Sequence, residues 1–205
     1  PEPEEEGPVS YDIETSKDGE AKIIDSGYSY YNGYVSMGIV VANYNSEKGF
    51  QPQELAVTAY DKEGSILGTT DAYFYPLQPG EVRAVQVSID TKDNKPDRVE
   101  ISDLMGELTD EEIDHVSSNN LIATNLSEHK NDYEVSFTGE LENKGGSDVT
   151  NGAMVLLLKK DGKIVGAQED FIENIPKRGK KAFETDVYEP PAYDDYVFIS
   201  YDWSF

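Results

Sequence analysis

Cysteine is absent from this chain of 205 residues, and its absence removes several classes of chemistry. Disulfide bonds, thiolate nucleophiles and zinc sites that use cysteine are all excluded. Small secreted scaffolds held together by disulfide bonds are excluded with them. A folded form of this chain must therefore depend on apolar packing and hydrogen bonds.

Catalytic signatures are also scarce. The two histidines, His115 and His129, lie in polar segments and fit no serine–histidine–aspartate pattern. No G-x-S-x-G motif is present, and the pair Gly145-Gly146 is typical of a turn rather than a phosphate-binding loop. Carboxylates are abundant, but sequence alone gives no separation across a cleft of the kind that a glycosidase needs. We therefore expect a protein that is not an enzyme and has no cofactor.

Positive charge is in short supply. Lys and Arg number 17 against 41 Asp and Glu, which gives a formal net charge of −24. Such a field repels phosphate backbones and anionic membrane surfaces, so nucleic acids are not expected partners. Two acidic clusters, Asp90–Asn94 with Asp97 and Asp194-Asp195, do not fit a calcium-loop pattern. We interpret both as solvated turns and expect no metal site.

Long apolar runs are missing as well, since none approaches the ~18–20 residues that cross a bilayer. Residues 1–6 read P-E-P-E-E-E and predict a disordered tether, because they have nothing to bury. Alternation of Val9, Tyr11 and Ile13 is compatible with an edge strand. The chain begins at Pro1 without Met, and we expect that a signal or anchor segment has been removed.

An internal repeat is the most informative feature that is present. Val57–Gly68 reads V-T-A-Y-D-K-E-G-S-I-L-G, and Val155–Gly166 reads V-L-L-L-K-K-D-G-K-I-V-G. The two segments align without a gap, and each predicts a hairpin closed by E-G or D-G, because Gly tolerates the positive φ of a tight turn.

Further landmarks match in the same order on both sides of this hairpin. The matching pairs are Ala21–Ile24 with Leu121–Ala123, Tyr34–Asn43 with Tyr133–Asn143, Leu77–Gly80 with Ile175–Gly179, Val82–Ile89 with Lys181–Val187, and Val99–Ser102 with Val197–Ser200. Short strands separated by regular turn signals are typical of a β-sandwich. The sequence therefore predicts an all-β fold of two tandem immunoglobulin-like β-sandwich domains, each of about 85–95 residues.

The repeat also predicts the domain boundaries. We expect a tether with an edge strand over residues 1–19, the first repeat over 20–104, a linker over 105–118 and the second repeat over 119–205. In the linker, Thr109-Asp110-Glu111-Glu112 fits a capping box and predicts a short helical turn. Two domains joined in this way usually have some relative freedom.

The repeat unit resembles the FxLYD-type domain, a small β-sandwich module of bacterial cell-surface proteins and lipoproteins. The pattern falls on Val57-Thr58-Ala59-Tyr60-Asp61, where Tyr60 and Asp61 match and Val57 and Ala59 depart from Phe and Leu. The second repeat has Leu158-Lys159 in place of the Tyr-Asp pair. The resemblance implies an extracellular location, with residues 1–6 as the end of a tether behind a trimmed lipid anchor, and it implies no catalytic residues.

Tyrosines are the strongest functional candidates in the chain. They cluster in the first repeat, and we predict a binding surface formed by Tyr28, Tyr30, Tyr31, Tyr34, Tyr73 and Tyr75. Alternation along a strand places half of each cluster on the outer face. Exposed rings beside carboxylates suit contact with sugars or with a protein partner.

The resulting expectation is a non-catalytic extracytoplasmic protein of a bacterial surface, which binds a protein partner or acts as a spacer. One alternative is a pair of carbohydrate-binding modules that use the tyrosine clusters. A hydrolase with an unrecognised site is the second alternative, which would require two facing carboxylates in a cleft.

Overall fold

A computed structural model describes residues 11–110, 116–117 and 120–203. Within them the chain forms strands and no helix. The strands are β1 (Ala21–Tyr31), β2 (Tyr34–Asn43), β3 (Gly49–Pro52), β4 (Leu55–Tyr60), β5 (Ile66–Ala72), β6 (Val82–Asp90), β7 (Arg98–Ile101), β8 (Gly106–Thr109), β9 (Val116–Ser117), β10 (Leu121–Lys130), β11 (Glu134–Asn143), β12 (Val149–Lys160), β13 (Lys163–Ile175), β14 (Lys180–Tyr188) and β15 (Asp195–Trp203).

These strands form four main antiparallel sheets. Residues 11–110, here called the first half, form sheet 1 with the strand order β5-β4-β7 and sheet 2 with the order β1-β2-β6. Residues 116–203, the second half, form sheet 3 with the order β13-β12-β15-β9 and sheet 4 with the order β10-β11-β14. A short pair, β3-β8, completes the first half. The prediction of an all-β fold of β-sandwich type is confirmed.

The repeat seen in the sequence reappears in the strand register. In sheet 2 Ala21 pairs with Asn43, and in sheet 4 Leu121 pairs with Asn143. In sheet 1 Val57 pairs with Ile101, and in sheet 3 Val155 pairs with Ile199. Sheets 2 and 4 are therefore equivalent in the two halves, as are sheets 1 and 3.

A buried asparagine at the end of the central strand carries the same hydrogen bonds in both halves. The side-chain amide of Asn43 donates to the carbonyl of Gln78 at 3.0 Å, and that of Asn143 donates to the carbonyl of Pro176 at 3.2 Å. Each side-chain oxygen accepts a backbone N–H two residues on, from Asn45 at 3.1 Å or Gly145 at 2.8 Å. In each half, one asparagine thus joins the end of the central strand to the Pro/Gly turn. Both of these segments are landmarks of the sequence repeat.

The tight turns follow from their residues. Asp161 and Gly162 have φ of 50° and 75°, so they form the two-residue loop between β12 and β13 that the D-G pair predicts. The equivalent hairpin of the first half closes through residues 61–65, where Gly64 has a φ of 85°. A third hairpin, which the sequence reading did not identify, joins β1 to β2 through Asn32 and Gly33, with φ of 46° and 87°.

Each half has its own apolar core between its two sheets. In the first half, one face of β2 contributes Val35, Met37, Ile39 and Val41, which pack with Leu55, Val57 and Ala59 of β4. In the second half, the corresponding face of β11 contributes Val135, Phe137 and Leu141, which pack with Met154, Leu156 and Leu158 of β12. The period-two alternation of a strand accounts for both patterns.

Sheet 2 also packs face to face on sheet 3, so the two halves share a third core. This interlayer core consists of Val40 and Ala84 from sheet 2 with Val155, Leu157, Ile164, Ala167 and Val197 from sheet 3. Strands β2 and β12 are therefore buried on both faces. That burial explains why each carries a continuous apolar run instead of an alternating one.

A pair of glycines lets sheet 2 approach sheet 3 closely. Gly27 and Gly38 are opposite each other on β1 and β2. A Cβ on Gly38 would lie 2.7 Å from Leu157 Cδ2 and 2.9 Å from Ala167 Cβ, and one on Gly27 would lie 1.9 Å from the carbonyl oxygen of Ile164. Any larger residue at either position would push the sheets apart.

Three hydrogen-bonded polar side chains close one end of the interlayer core. Lys159 Nζ lies 3.0 Å from Asp25 Oδ2 and donates to Tyr11 Oη at 3.1 Å, while Tyr11 donates to Asp25 at 2.6 Å. The side chains of Lys159 and Asp25 are only 9% and 18% exposed. Lys159 stands where the first repeat has Asp61, so the second repeat supplies a cation at this junction.

The segment between the repeats takes part in both halves. Gly106–Thr109, inside the predicted linker, forms β8 and pairs with β3. Val116–Ser117 forms β9 and pairs with the end of β15. The predicted helical turn falls partly on residues 111–115, which lie outside the described residues.

At the N-terminus, residues 11–15 form no strand, and Ser16 makes an isolated bridge to Asn45. Val9 of the predicted edge strand and the tether of residues 1–6 lie outside the described residues. No helix with the length and hydropathy of a membrane span occurs in the described ranges.

Candidate functional site

A cleft of about 590 Å³ opens where sheets 2 and 3 separate at one end of the interlayer core. We call it the tyrosine cleft. Its lining comes from residues 28–32, Tyr34 and Ser36 of the first half and from residues 165–168, 186–189, Pro191 and Ala192 of the second. This volume lies within the range of small-ligand pockets, and both halves are needed to form it.

Two exposed tyrosines of the β1–β2 hairpin form one wall of the cleft. Tyr31 and Tyr34 are opposite each other in register, and they are 49% and 53% exposed. Tyr28 and Tyr30 lie on the same hairpin but pack against the core of the first half. Strand alternation therefore divides the predicted cluster into two exposed rings and two structural ones.

The opposite wall is supplied by the end of β14 and the loop after it. Tyr188 is 67% exposed, and Glu189 follows it with a φ of 44°. The hydroxyl of Tyr31 hydrogen-bonds to Glu189, and this bond raises the pKa of Tyr31. The carboxylate of Asp186, on the same wall, accepts a hydrogen bond from Ser136 Oγ at 2.6 Å.

A short hydrogen-bonded chain beside the cleft links the two halves and includes Ser36 and Ala167 of the lining. Ser36 Oγ donates to the carbonyl oxygen of Ala167 at 2.7 Å, and Gln86 Nε2 donates to Ser36 Oγ at 3.1 Å. The backbone N–H of Gln86 donates to Glu169 Oε2 at 3.0 Å. Burial raises the pKa of Glu169, and the bond from Gln86 opposes that effect. These bonds fix the position of the tyrosine wall relative to the second half.

Tyr73 and Tyr75, the remaining predicted residues, belong to a separate surface. Tyr75 stacks on Trp203 with ring centroids 5.3 Å apart and packs edge to face with Tyr73 at 5.4 Å. Phe171 contacts Trp203 at 6.3 Å and is 79% exposed, and Tyr73 is 56% exposed. We call these four residues the aromatic patch. Neither Tyr73 nor Tyr75 lines the tyrosine cleft.

A buried arginine holds the aromatic patch in place. The guanidinium of Arg83 lies 4.7 Å from the centre of the Tyr201 ring and donates to the carbonyl of Pro76 at 3.1 Å. It also forms an ion pair with Glu81, and both side chains are fully buried. Arg83 thereby fixes the loop that carries Tyr75 against the strand that carries Trp203.

Close to this arginine lies an aspartate with a strongly perturbed pKa. Burial raises the pKa of Asp202 to about 6, and the shift is opposed by a hydrogen bond from its own backbone N–H and by the charge of Arg83. In the part of the chain that the structure describes, Asp202 Oδ1 has no hydrogen-bond partner. Its ionised form is therefore poorly compensated.

The acidic clusters considered for calcium serve as turns. Asp90 Oδ1 accepts the backbone N–H of Lys92 at 2.8 Å, and Asp194 Oδ2 accepts that of Asp161 at 3.1 Å. Over residues 11–110, 116–117 and 120–203, no three metal-ligating side chains lie together. His129 is exposed on β10, and His115 lies outside the described residues.

The sequence reading missed the second wall of the tyrosine cleft. Tyr188 and Glu189 were not singled out, because nothing in the sequence shows that the end of β14 faces the β1–β2 hairpin. The dipeptide Asn32-Gly33 between tyrosines was a usable signal, since Asn-Gly favours a two-residue hairpin. It would have placed Tyr31 and Tyr34 opposite each other.

No family model and no curated protein sequence matches the chain. Among solved structures it is similar to the C-terminal globular domain of an oligosaccharyltransferase from Pyrococcus abyssi, with a TM-score of 0.26, 8% identity and coverage of 91% of this chain and 48% of that one. It is also similar to a β-glucuronidase of glycoside hydrolase family 2, with a TM-score of 0.24, 16% identity and coverage of 90% of this chain and 23% of that one. The chain thus spans about half of the first structure and about a quarter of the second. Similarity at this level carries no functional argument, and the resemblance to FxLYD-type domains stays a prediction.

Proposed function

We propose that this chain is a non-catalytic binding protein of a bacterial cell surface, and that its ligand occupies the tyrosine cleft. The observation that carries the proposal is the cleft itself, which is lined by Tyr31 and Tyr34 of the first half and by Tyr188 of the second. Aromatic side chains offer large contact areas at low entropic cost, and exposed rings in a concave site are typical of binding surfaces.

The polar groups of the cleft favour recognition over chemistry. Glu189 already accepts the hydroxyl of Tyr31, and Asp186 accepts that of Ser136. Carboxylates held in this way act as fixed acceptors that orient a ligand.

The stacking of the halves favours binding over spacing. A spacer requires only length, whereas sheets 2 and 3 pack face to face through a buried apolar core. Hydrogen bonds from Ser36 and Gln86 to Ala167 and Glu169 then hold the strands of the tyrosine wall in a fixed relation to β13 of the second half. Pre-organisation of this kind lowers the entropic cost of binding.

Paired surface variants test the proposal. The full chain would be screened against a displayed peptide library and a glycan array, and each hit would be measured again with Tyr31→Ala/Tyr34→Ala. We expect at least a tenfold loss of affinity for the cleft ligand, and little change for Tyr73→Ala, which removes an equally exposed ring outside the cleft. Hits that all survive the double substitution would contradict the proposal.

Protein–protein contact through the aromatic patch is a second candidate function. Phe171 and Tyr73 are exposed beside the stacked Tyr75 and Trp203, and protein interfaces are enriched in such rings. For this function, variants of the aromatic patch should lose binding and variants of the tyrosine cleft should keep it. Binding of a displayed peptide or protein domain should be lost with Phe171→Ala and retained with Tyr31→Ala/Tyr34→Ala.

The cellular location rests on the resemblance to FxLYD-type modules, together with the acidic, proline-containing N-terminus. Metabolic labelling of the native protein in its own cells with a fatty-acid analogue would test it. Incorporation of the label is the expected outcome for a lipid-anchored surface protein. Recovery of the native protein only from the unlabelled cytosolic fraction would contradict this location.

A further inference from the structure

We infer that the ligand of the tyrosine cleft is an uncharged oligosaccharide. This inference rests on the proposed function, because it names the class of ligand for the same cleft. It follows from three features of the lining, which are the arrangement of the rings, the type of polar group beside them and the sign of the charge.

The rings provide surfaces suited to the apolar faces of sugars. Tyr31 and Tyr34 are neighbours across one strand pair, so their side chains stand roughly 4.5–5.5 Å apart at the Cβ atoms. Tyr188 of the second half also lines the cleft, so a bound ligand can meet aromatic surface from both halves. A pyranose ring presents C–H groups on its faces and hydroxyls at its rim, which suits a cleft lined in this way.

The polar groups are of the type that pairs with hydroxyls. Asp186 and Glu189 each already accept a hydrogen bond from a hydroxyl group, that of Ser136 or Tyr31. The amide side chains of Asn32 and Gln168 also line the cleft, and each offers both donors and an acceptor. A sugar hydroxyl donates and accepts at once, so it can satisfy a carboxylate and an amide together.

Charge selects among sugars. The chain has a net charge of −24, and the cleft adds the carboxylates of Asp186 and Glu189. Glycans that carry uronate, sulfate or phosphate groups would be repelled. The cleft is open and has a volume of about 590 Å³, which suits a short stretch of a sugar chain. The end or one segment of a longer polysaccharide would therefore be bound.

A basic peptide is the rival ligand, because Lys and Arg side chains also pack on tyrosine rings beside carboxylates. The two classes differ in their dependence on salt. Sugar binding through hydroxyls should be nearly independent of salt, whereas binding of a cationic peptide should weaken strongly as ionic strength rises.

The test uses the full chain with defined probes. Cello-, malto- and chito-oligosaccharides, oligogalacturonate and oligolysine would each be titrated by calorimetry at low and high salt. We expect binding of at least one neutral oligosaccharide and none of oligogalacturonate. Tyr34→Ala should weaken that binding at least tenfold, Tyr34→Phe less than threefold because the ring remains, and Tyr73→Ala not at all. Thermal unfolding of each variant confirms folding, which half-exposed positions should preserve.

The outcomes separate the two levels of the argument. Salt-sensitive binding of oligolysine that requires Tyr34, without binding of any neutral sugar, overturns this inference and leaves the proposed function standing. Binding of oligogalacturonate in the cleft also overturns it. Sugar binding that is unaffected by Tyr31→Ala/Tyr34→Ala overturns the inference and counts against the cleft as the ligand site.

Discussion

Asn43 and Asn143 make equivalent hydrogen bonds in the two halves. Each is buried at the end of a central strand, and its amide binds carbonyls of a loop and of the Pro/Gly turn. Few other side chains could supply two donors and one acceptor at this position. The sequence comparison placed both asparagines in matching strands, but their role became visible only when the carbonyls they reach were known.

Replacing either asparagine should destabilise the whole chain. Asn143→Ala would leave buried carbonyls without a donor, which we expect to cost about 2 kcal/mol or more of unfolding free energy. Urea unfolding followed by circular dichroism measures the change. Asn151→Ala is the matched control, because its amide makes only a 3.4 Å contact with Thr150 at the surface. Equal effects at the two positions would show that the buried network adds no stability.

Asp202 makes a prediction about pH. Its pKa in the folded chain is raised to about 6 from 3.8, so the folded state holds the proton more tightly than the unfolded state does. The contribution of Asp202 to stability is therefore most favourable below about pH 4 and is lost as the pH rises through 6.

Asp202→Asn should remove this dependence. We expect the variant to match the original chain at pH 4 and to exceed it by about 1 kcal/mol at pH 8, a modest value because the side chain is partly exposed. Chemical denaturation at several pH values measures the difference. A variant that is less stable than the original at pH 8 would show that the ionised carboxylate makes a favourable contact.

At the scale of strands, most of the pattern could be predicted from sequence. The sequence repeat gave β2 and β11 almost to the residue, and E-G and D-G located two hairpins. The face-to-face packing of β2 on sheet 3 could not be predicted, because alternation reports only which face is apolar. The runs Gly38–Ala42 and Met154–Leu158 did carry a signal, since continuous apolar strands are buried on both faces. What covers the second face is a matter of tertiary structure.

Gly38 tests that packing directly. In Gly38→Ala the new methyl group would meet Ala167 Cβ at 2.9 Å, and an alanine on a strand has no flexible end that could move aside. We expect a loss of about 1–3 kcal/mol, seen as a lower midpoint of thermal unfolding. Gly146→Ala, where nothing lies within 4 Å, is the control and should change little. An unchanged midpoint for Gly38→Ala would contradict close approach of sheets 2 and 3.

At the scale of the whole molecule, the repeat suggests two independent modules, whereas the stacking of the halves indicates that each half depends on the other. Matching sheets suggest two self-sufficient modules, which is the division predicted over residues 20–104 and 119–205. The interlayer core and the tyrosine cleft both require the halves together. The cleft was only partly predictable for this reason, since Tyr31 and Tyr34 lie in one half and Tyr188 in the other.

Separated halves provide the test. Residues 11–110 alone would expose Val40, Ala84 and Val82, and residues 116–203 alone would expose Leu157 and Val155. We expect each piece to self-associate, and an equimolar mixture to form a 1:1 complex with a higher midpoint of unfolding than either piece, as analytical ultracentrifugation and calorimetry would show. If both pieces stay monomeric and do not bind each other, the two halves are independent modules instead.

The burial of β2 on both faces also constrains how the chain is made. A polypeptide synthesised from its N-terminus completes sheet 2 well before sheet 3 exists. During that interval the nascent first half presents Val40 and Ala84 without a cover, beside two glycines that accept a closely packed strand. Sheet 3 of an adjacent molecule fits that surface as well as its own does. Crowded nascent chains would therefore exchange halves, and the yield of correctly assembled monomer should fall with expression rate.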